Sequence, residues 1–229
     1  MYQYKNLDGV ALGQIAECLN LAFSVYPIPI HLNEEELGHF LAADGVDLTQ
    51  SYGAFCGEEM VGFLLHAFHD YRGCRAVFDA GTGVVPAHRG KKVMTQLFAY
   101  AKQQLAQNAV ERYYLEVLQQ NDKAIALYEK QGFSVVREFS VLRACGLPED
   151  AKAKAVLFMP ASAFESSQAA ECHRPEPSFE HADPVWQQNP DAYQVASLGE
   201  AELTAYCLFA KESGQILQLG WRNMRDLAP

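Results

Sequence analysis

His88, Arg89, Lys91 and Lys92 crowd around Gly90, the densest basic spot in the first half of this acidic chain. Val84-Val85-Pro86-Ala87 precedes them, and Val93-Met94 opens a long amphipathic run. A strand that ends near Val85, turns at Pro86 and restarts as a helix just after Arg89 leaves free backbone N–H groups at a helix N-terminus. Amides and cations at such a point suit a pyrophosphate. A basic helix start facing solvent has the same composition. Further along, Asn121-Asp122-Lys123-Ala124-Ile125-Ala126-Leu127-Tyr128-Glu129-Lys130-Gln131-Gly132-Phe133 joins an N-cap residue, a phenol and a helix-ending glycine.

The elements that must position these residues are read from periodicity. Val10, Leu12, Ile15, Ala16, Leu19, Ala22 and Phe23 recur at helical spacing over 10–23. Tyr26-Pro27-Ile28-Pro29-Ile30 is excluded from a helix interior by its prolines. Asn33 starts a second helix, with Glu36 placed for a capping box and Leu32 and Leu37 for a hydrophobic staple. Strands are expected at Tyr52 to Cys56, Met60 to Phe68 and Cys74 to Val85, separated by turns at Gly57 and Gly73. The helix from about Gly90 to Gln107 should bury Val93, Met94, Leu97, Phe98, Ala101 and Leu105. Arg112 to Leu118 reads as a strand, and a short helix runs from Asn121 to Gly132. Ser134 to Arg143 and Ala153 to Met159 read as closing strands. The order ααβββαβαββ gives an α/β class with a mixed sheet.

The chain has 229 residues, 49% hydrophobic and 20% charged, as in ordinary globular proteins. Its net charge of −10 argues against nucleic-acid binding and weakly favours cationic partners such as amines. No run is apolar enough to span a bilayer, and the first residues lack the pattern of a secretory signal. A cytoplasmic protein without membrane partners is the expectation. Cys18, Cys56, Cys74, Cys145, Cys172 and Cys207 show no ligand spacing, so neither zinc nor disulfides are expected.

Residues 1–160 are taken as one domain and 161–183, with Ser, Ala, Glu and two prolines, as a linker. Residues 184–229 read as a smaller, strand-rich half-domain. Strands at Tyr193 to Ser197 and Leu203 to Ala210 flank Gly199-Glu200, and Gly214 to Arg225 can be laid on Phe78 to Arg89, with Arg225 opposite Arg89. Any strand–turn–strand pattern superimposes comparably.

The loop at 84–94 followed by the segment at 121–133 resembles the acetyl-coenzyme-A site of the GNAT superfamily of N-acetyltransferases. Pro184-Val185-Trp186-Gln187 is similar to an opening segment of tandem members of that family, which makes 184–229 a partial second repeat. The resemblance implies a GNAT fold and acetyl-CoA as co-substrate, without a metal. It places Gly83, Val84 and Val85 along the pantetheine arm, with one N–H aimed at the acetyl carbonyl where oxyanion charge develops. It places Arg89, Gly90, Lys91, Lys92, Val93 and Met94 around the pyrophosphate. The family pattern is Arg/Gln-x-x-Gly-x-Gly/Ala. Lys92 stands at its first glycine and Met94 at its second small position. A left-handed Lys92 costs about 1–2 kcal/mol relative to glycine, and Met94 is expected to crowd the phosphate.

By the same resemblance Asn121 lies beside the pantetheine and Tyr128 protonates the departing thiolate. The acceptor nitrogen must be a neutral amine, and Asp79, Glu116, His66 and His69 are the candidate bases, Glu116 slightly favoured. The resemblance also puts Tyr26 to Ile30 at the acceptor pocket, a partly apolar wall. The expected activity is transfer of an acetyl group from acetyl-CoA to a primary amine by direct attack. A homodimer is compatible with it. The alternative is a catalytically silent CoA-binding or protein-interaction module of the same fold.

Overall fold

A computed structural model describes residues 1–26, 30–143, 156–169, 171–199 and 202–223. The chain divides into two compact units, Met1–Val136 and Arg137–Pro229.

The first unit is built on a five-stranded sheet in the order β1-β2-β3-β4-β5. Its strands are β1 (Tyr2–Asn6), β2 (Tyr52–Cys56), β3 (Glu59–Tyr71), β4 (Cys74–Val84) and β5 (Arg112–Leu115). The first four are antiparallel, and β5 runs parallel to β4. The long β3–β4 hairpin closes in a tight turn, where Arg72 and Gly73 both take positive φ, 55° and 73°. Such a two-residue turn carries the twist of the flanking strands. β1 was not expected from the sequence, and it adds an edge to the sheet.

Helices cover both faces. α1 (Leu12–Phe23) and α2 (Glu34–Ala43) lie on one side. Ile15, Ala16, Leu19, Leu37 and Leu41 pack there against Phe55, Phe63 and Leu65. The capping box read from Asn33 and Glu36 is present, with Glu36 N–H donating to Asn33 and Asn33 N–H donating to Glu36. On the other side, α3 (Val93–Leu105) buries Val93, Met94, Leu97, Phe98, Ala101 and Leu105, the six residues read from periodicity. α4 (Asp122–Lys130) follows β5 and is closed by Gly132 at φ 91°. Gly132 N–H donates to Glu129 and Phe133 N–H to Tyr128, the paired bonds of a Schellman ending.

Between Asp79 and Gly81, β4 carries one residue more than the stretch of β3 it pairs with. His66 pairs with Asp79 and Leu65 with Gly81, so Ala80 is the extra residue of a bulge. β4 also outruns β5. The last parallel pair is Asp79 with Leu115, and β4 continues five residues further, to Val84. From Ala80 onward one edge of β4 has no neighbouring strand among the described residues.

Ser134 to Arg143 corrects the sequence reading. It forms no strand, and Val135, Val136, Val141 and Leu142 are exposed. Its alternation matches a strand, yet a strand also needs a partner edge. The expected strand at Ala153 to Met159 lies partly outside the described residues. Leu157–Pro160 (β6) joins the second unit's sheet instead.

That second sheet has the order β6-β7-β8-β9, all antiparallel, with β7 (Tyr193–Leu198), β8 (Ala205–Ala210) and β9 (Ile216–Trp221). Residues expected to be a linker contribute to its core. Ala161, Phe164, Ala169 and Cys172 pack with Trp186, Val195, Tyr206 and Leu208. The apolar residues scattered among serines and prolines there are what the core takes up. Asp183, in α5 (Asp183–Trp186), accepts from Arg174 at 3.1 Å, Gln218 at 2.8 Å and Trp186 at 3.2 Å.

Candidate functional site

The loop between β4 and α3 carries the first half of the site. Pro86–His88 forms a single 3₁₀ turn, and Gly90 and Lys92 both adopt left-handed φ, 72° and 61°. Lys92 is the N-cap of α3, so the strain anticipated for a lysine at a glycine position is present. The N–H groups of Gly90, Lys91, Lys92, Val93, Met94 and Thr95 meet no backbone carbonyl at hydrogen-bonding geometry. Left-handed residues leading into a helix start make an anion-binding concavity of such amides, and the helix dipole adds to it. Lys91 and Lys92 are exposed beside it.

Other expectations for this loop are corrected. The Met94 side chain is buried in the core beneath α3, where it crowds nothing outside the helix, and its amide lies at the helix start. Val93 is buried in the same way. The Arg89 guanidinium is committed elsewhere: Nε donates to the Val84 carbonyl at 3.0 Å and Nη2 to the Ala22 carbonyl at 2.6 Å. Its amide donates to Pro86. Arg89 thus braces the end of α1 against the end of β4. His88 receives or donates a hydrogen bond with the Tyr2 hydroxyl at 2.9 Å.

The end of β4 forms the floor. Val85 N–H donates to the Val61 carbonyl at 2.9 Å, so it is not available to an acetyl group. Amide directions alternate along a strand, which turns the Val84 N–H toward the edge that β5 leaves open. Gly83 has no room for a side chain: a Cβ there would meet Phe63 at 2.7 Å and Ala22 at 2.8 Å.

Tyr128 comes from α4, where its ring packs edge-on against Phe98 and Phe133, each 5.9 Å away. Burial, and secondly the Asp79 carboxyl, push its phenol upward, while the nearby Thr82 hydroxyl opposes them. Asn121 caps the helix, accepting from Ala124 N–H at 3.3 Å. Phe133 packs on Phe98, Tyr113 and Tyr128.

The candidate bases separate clearly. Asp79 is buried, accepts from the Thr82 hydroxyl and from Gly81 N–H at 3.1 Å, and is pushed up to about 7 by its burial. His66 is buried and lowered to about 4 for the same reason. Its Nδ1 lies 2.6 Å from the Gln50 carbonyl, so that nitrogen carries the proton and Nε2 accepts from the Tyr113 hydroxyl. His69, lowered to about 4 by burial, stands near Tyr71 on the distal part of β3. Glu116 is exposed, the first residue past the last β4–β5 pair. The carboxyl that acts on Tyr128 is therefore Asp79, which the Thr82 hydroxyl hydrogen-bonds.

Thr82 was not singled out from the sequence. Residues three apart in a regular strand point to opposite faces. The bulge at Ala80 resets the alternation, placing Thr82 opposite Leu64 and Asp79 opposite His66 on the α3 side. The Pro27-Ile28-Pro29 part of the expected acceptor wall lies outside the described residues. Among the described residues no group of His, Cys, Asp and Glu is arranged to hold a metal ion, and no helix is long and apolar enough to cross a membrane.

The fold is shared with solved structures. A transcriptional regulator from Bacillus halodurans C-125 aligns with a TM-score of 0.52 and 20% identity, covering 63% of this chain and 100% of that one. AAC(6')-Iy, in complex with the bisubstrate analogue CoA-S-monomethyl-acetylneamine, aligns with a TM-score of 0.50 and 20% identity over 63% of this chain and 98% of its own. No curated protein sequence matches this chain. The acetyltransferase (GNAT) family, however, matches residues 15–133, a span that runs from α1 through the loop at 84–94 and Tyr128 to Phe133. On that match the chain belongs to the GNAT acetyltransferase family.

Proposed function

We propose that this chain transfers an acetyl group from acetyl-CoA to a primary amine by direct attack of the nitrogen on the thioester. The observation that carries this reading is the open edge of β4, which has amide-rich Gly90–Thr95 at one end and the Tyr128 side beside it. CoA would lie along that edge, and it supplies the activated acetyl group. The amides of Gly90 to Met94, with Lys91 and Lys92, would hold its pyrophosphate. Gly83 and Val84 would align the pantetheine, with Asn121 beside it. The Val84 N–H, not that of Val85, would take up the oxyanion. Tyr128 would donate its proton to sulfur as the C–S bond breaks. Glu116, exposed at the rim, would pass the acceptor's proton to solvent. The acceptor is an amine drawn to an acidic protein. The second unit, whose strand order β6-β7-β8-β9 echoes β1-β2-β3-β4, is read as a partial repeat. The residues laid on Arg89 and its neighbour, Arg225 and Met224, lie outside the described residues.

Calorimetry with acetyl-CoA, followed by thiol release across a panel of amines, tests this reading. Saturable binding and amine-dependent thiol release are expected; no heat at millimolar cofactor would overturn it. Saturable binding with no thiol release for any amine would instead favour a silent CoA-binding or interaction module, a reading that the strained Lys92 keeps in view.

A further inference from the structure

We infer that Thr82 and Asp79 form a proton-relay line behind Tyr128, with Thr82 as the positioning residue that joins the carboxyl to the phenol. The inference rests on the reading of Tyr128 as the acid.

The geometry comes from three elements. The bulge at Ala80 puts Asp79 and Thr82 on one face of β4. The Thr82 hydroxyl is hydrogen-bonded to Asp79 Oδ2, and Gly81 N–H fixes Oδ1 from 3.1 Å. α4 packs Tyr128 against the core cluster that holds Leu64, the residue opposite Thr82, and Thr82 and Asp79 both act on its phenol. A threonine hydroxyl both donates and accepts, so it can pass a proton along without holding a charge. Among the described residues, the other titratable groups around the carboxyl are the Tyr113 and Tyr128 phenols and, across the β3–β4 pair, His66. No cation is among these groups, and His66 is held neutral by its burial. A carboxyl so placed is displaced upward to about 7, which makes it a proton donor near neutrality.

The protons balance as follows. Before transfer, Asp79 carries a proton and donates to Thr82 Oγ1, Thr82 donates to the Tyr128 oxygen, and Tyr128 donates to the thioester sulfur. The acceptor nitrogen forms the C–N bond, and the C–S pair leaves on sulfur. The Tyr128 proton goes to sulfur, the Thr82 proton to Tyr128 and the Asp79 proton to Thr82. The line then reads as it stands in the structure, with Thr82 donating to an Asp79 carboxylate. Water entering as CoA leaves returns one proton along the same line, and the acceptor nitrogen releases one to solvent, so no proton is gained or lost overall. Without the relay, Tyr128 would be left as a phenolate in a half-buried site that disfavours it.

Thr82→Val, Thr82→Ser and Asp79→Asn in the full chain test this, with folding checked by circular dichroism. Infrared titration of the carboxyl band, identified by its loss in Asp79→Asn, needs no acceptor. Thr82→Val should move the midpoint upward, because a donor to the carboxylate is gone, and Thr82→Ser should restore it. A midpoint that Thr82→Val leaves in place overturns the line. Where an acceptor is in hand, Thr82→Val should lower kcat about tenfold or more at unchanged KM for acetyl-CoA, with Ser recovering it. Wild-type turnover in Thr82→Val and Asp79→Asn, with Tyr128→Phe slow, overturns the relay and leaves Tyr128 as the acid. Wild-type turnover in Tyr128→Phe as well overturns both.

Discussion

Arg89 Nη2 donates to the Ala22 carbonyl at 2.6 Å, 67 positions earlier in the chain. The carbonyl belongs to the last turn of α1, where helix carbonyls lack partners, and a guanidinium satisfies one while complementing the helix dipole. With Nε on Val84, the same side chain fastens the helix to the open end of β4. Arg89→Gln should therefore lower stability by about 1–2 kcal/mol in urea melts. Its affinity for acetyl-CoA should fall less than that of a Lys91→Ala, Lys92→Ala double variant in calorimetry. The reverse ranking would return Arg89 to the phosphate.

Lys92 is held at φ 61° with no side-chain cap bond. Glycine takes that conformation without a Cβ penalty, so Lys92→Gly should stabilise the fold by about 1 kcal/mol in thermal or urea unfolding. The substitution also removes a cation beside the free amides. Acetyl-CoA should bind more weakly to the more stable protein, and the difference between the two proteins should shrink as salt is raised.

Tyr128→Phe keeps the ring contacts with Phe98 and Phe133 and removes only the hydroxyl. Thiol release should fall by about a hundredfold or more while KM for acetyl-CoA changes little, since the proton is needed only as the C–S bond breaks. Steady-state kinetics over a range of cofactor concentrations separates the two. A change confined to KM would make Tyr128 a packing residue.

Asp79 and His66 are paired across β3 and β4, and burial displaces them in opposite directions, to about 7 and about 4. For Asp79 the folded protein binds the proton more tightly than the unfolded chain, whose carboxyl titrates near 4. Its contribution therefore weakens as pH rises from about 4 to about 7. For His66 the unfolded chain binds the proton more tightly, so its contribution weakens as pH falls from 6.5 to about 4. Asp79→Asn removes the first trend and keeps the second. The stability of the variant relative to wild type should climb through the Asp79 window and level off above it, as read from urea melts at a series of pH values.

Much of the first unit was legible because its signals are local. The six buried residues of α3 follow one helical stripe, and the Asn33–Glu36 box lies within four consecutive positions. β1 escaped notice because Tyr2-Gln3-Tyr4-Lys5-Asn6 is short and polar, and its hold on the sheet comes from pairing with Tyr52 to Cys56 far along the chain. Ser134 to Arg143 misled for the opposite reason: Val135, Phe139 and Val141 look like strand residues, but no edge receives them. In the site, the loop glycine and the phenol could be picked out by type. Three other matters depend on register and packing, which no spacing rule encodes. These are the commitment of Arg89 to carbonyls, the use of Val85 N–H by Val61, and the meeting of Asp79 with Thr82.

The extra residue in β4 has a consequence of its own. Two side chains three positions apart share a face only because the strand is one residue longer than its partner there. The alignment is thus recorded in chain length as well as in side-chain identity. Any single substitution at Ala80 leaves the count intact. Deleting Ala80 would keep Asp79, Thr82 and Tyr128 in the sequence, yet one side of the strand would have to turn over, and the carboxyl and the hydroxyl would part company.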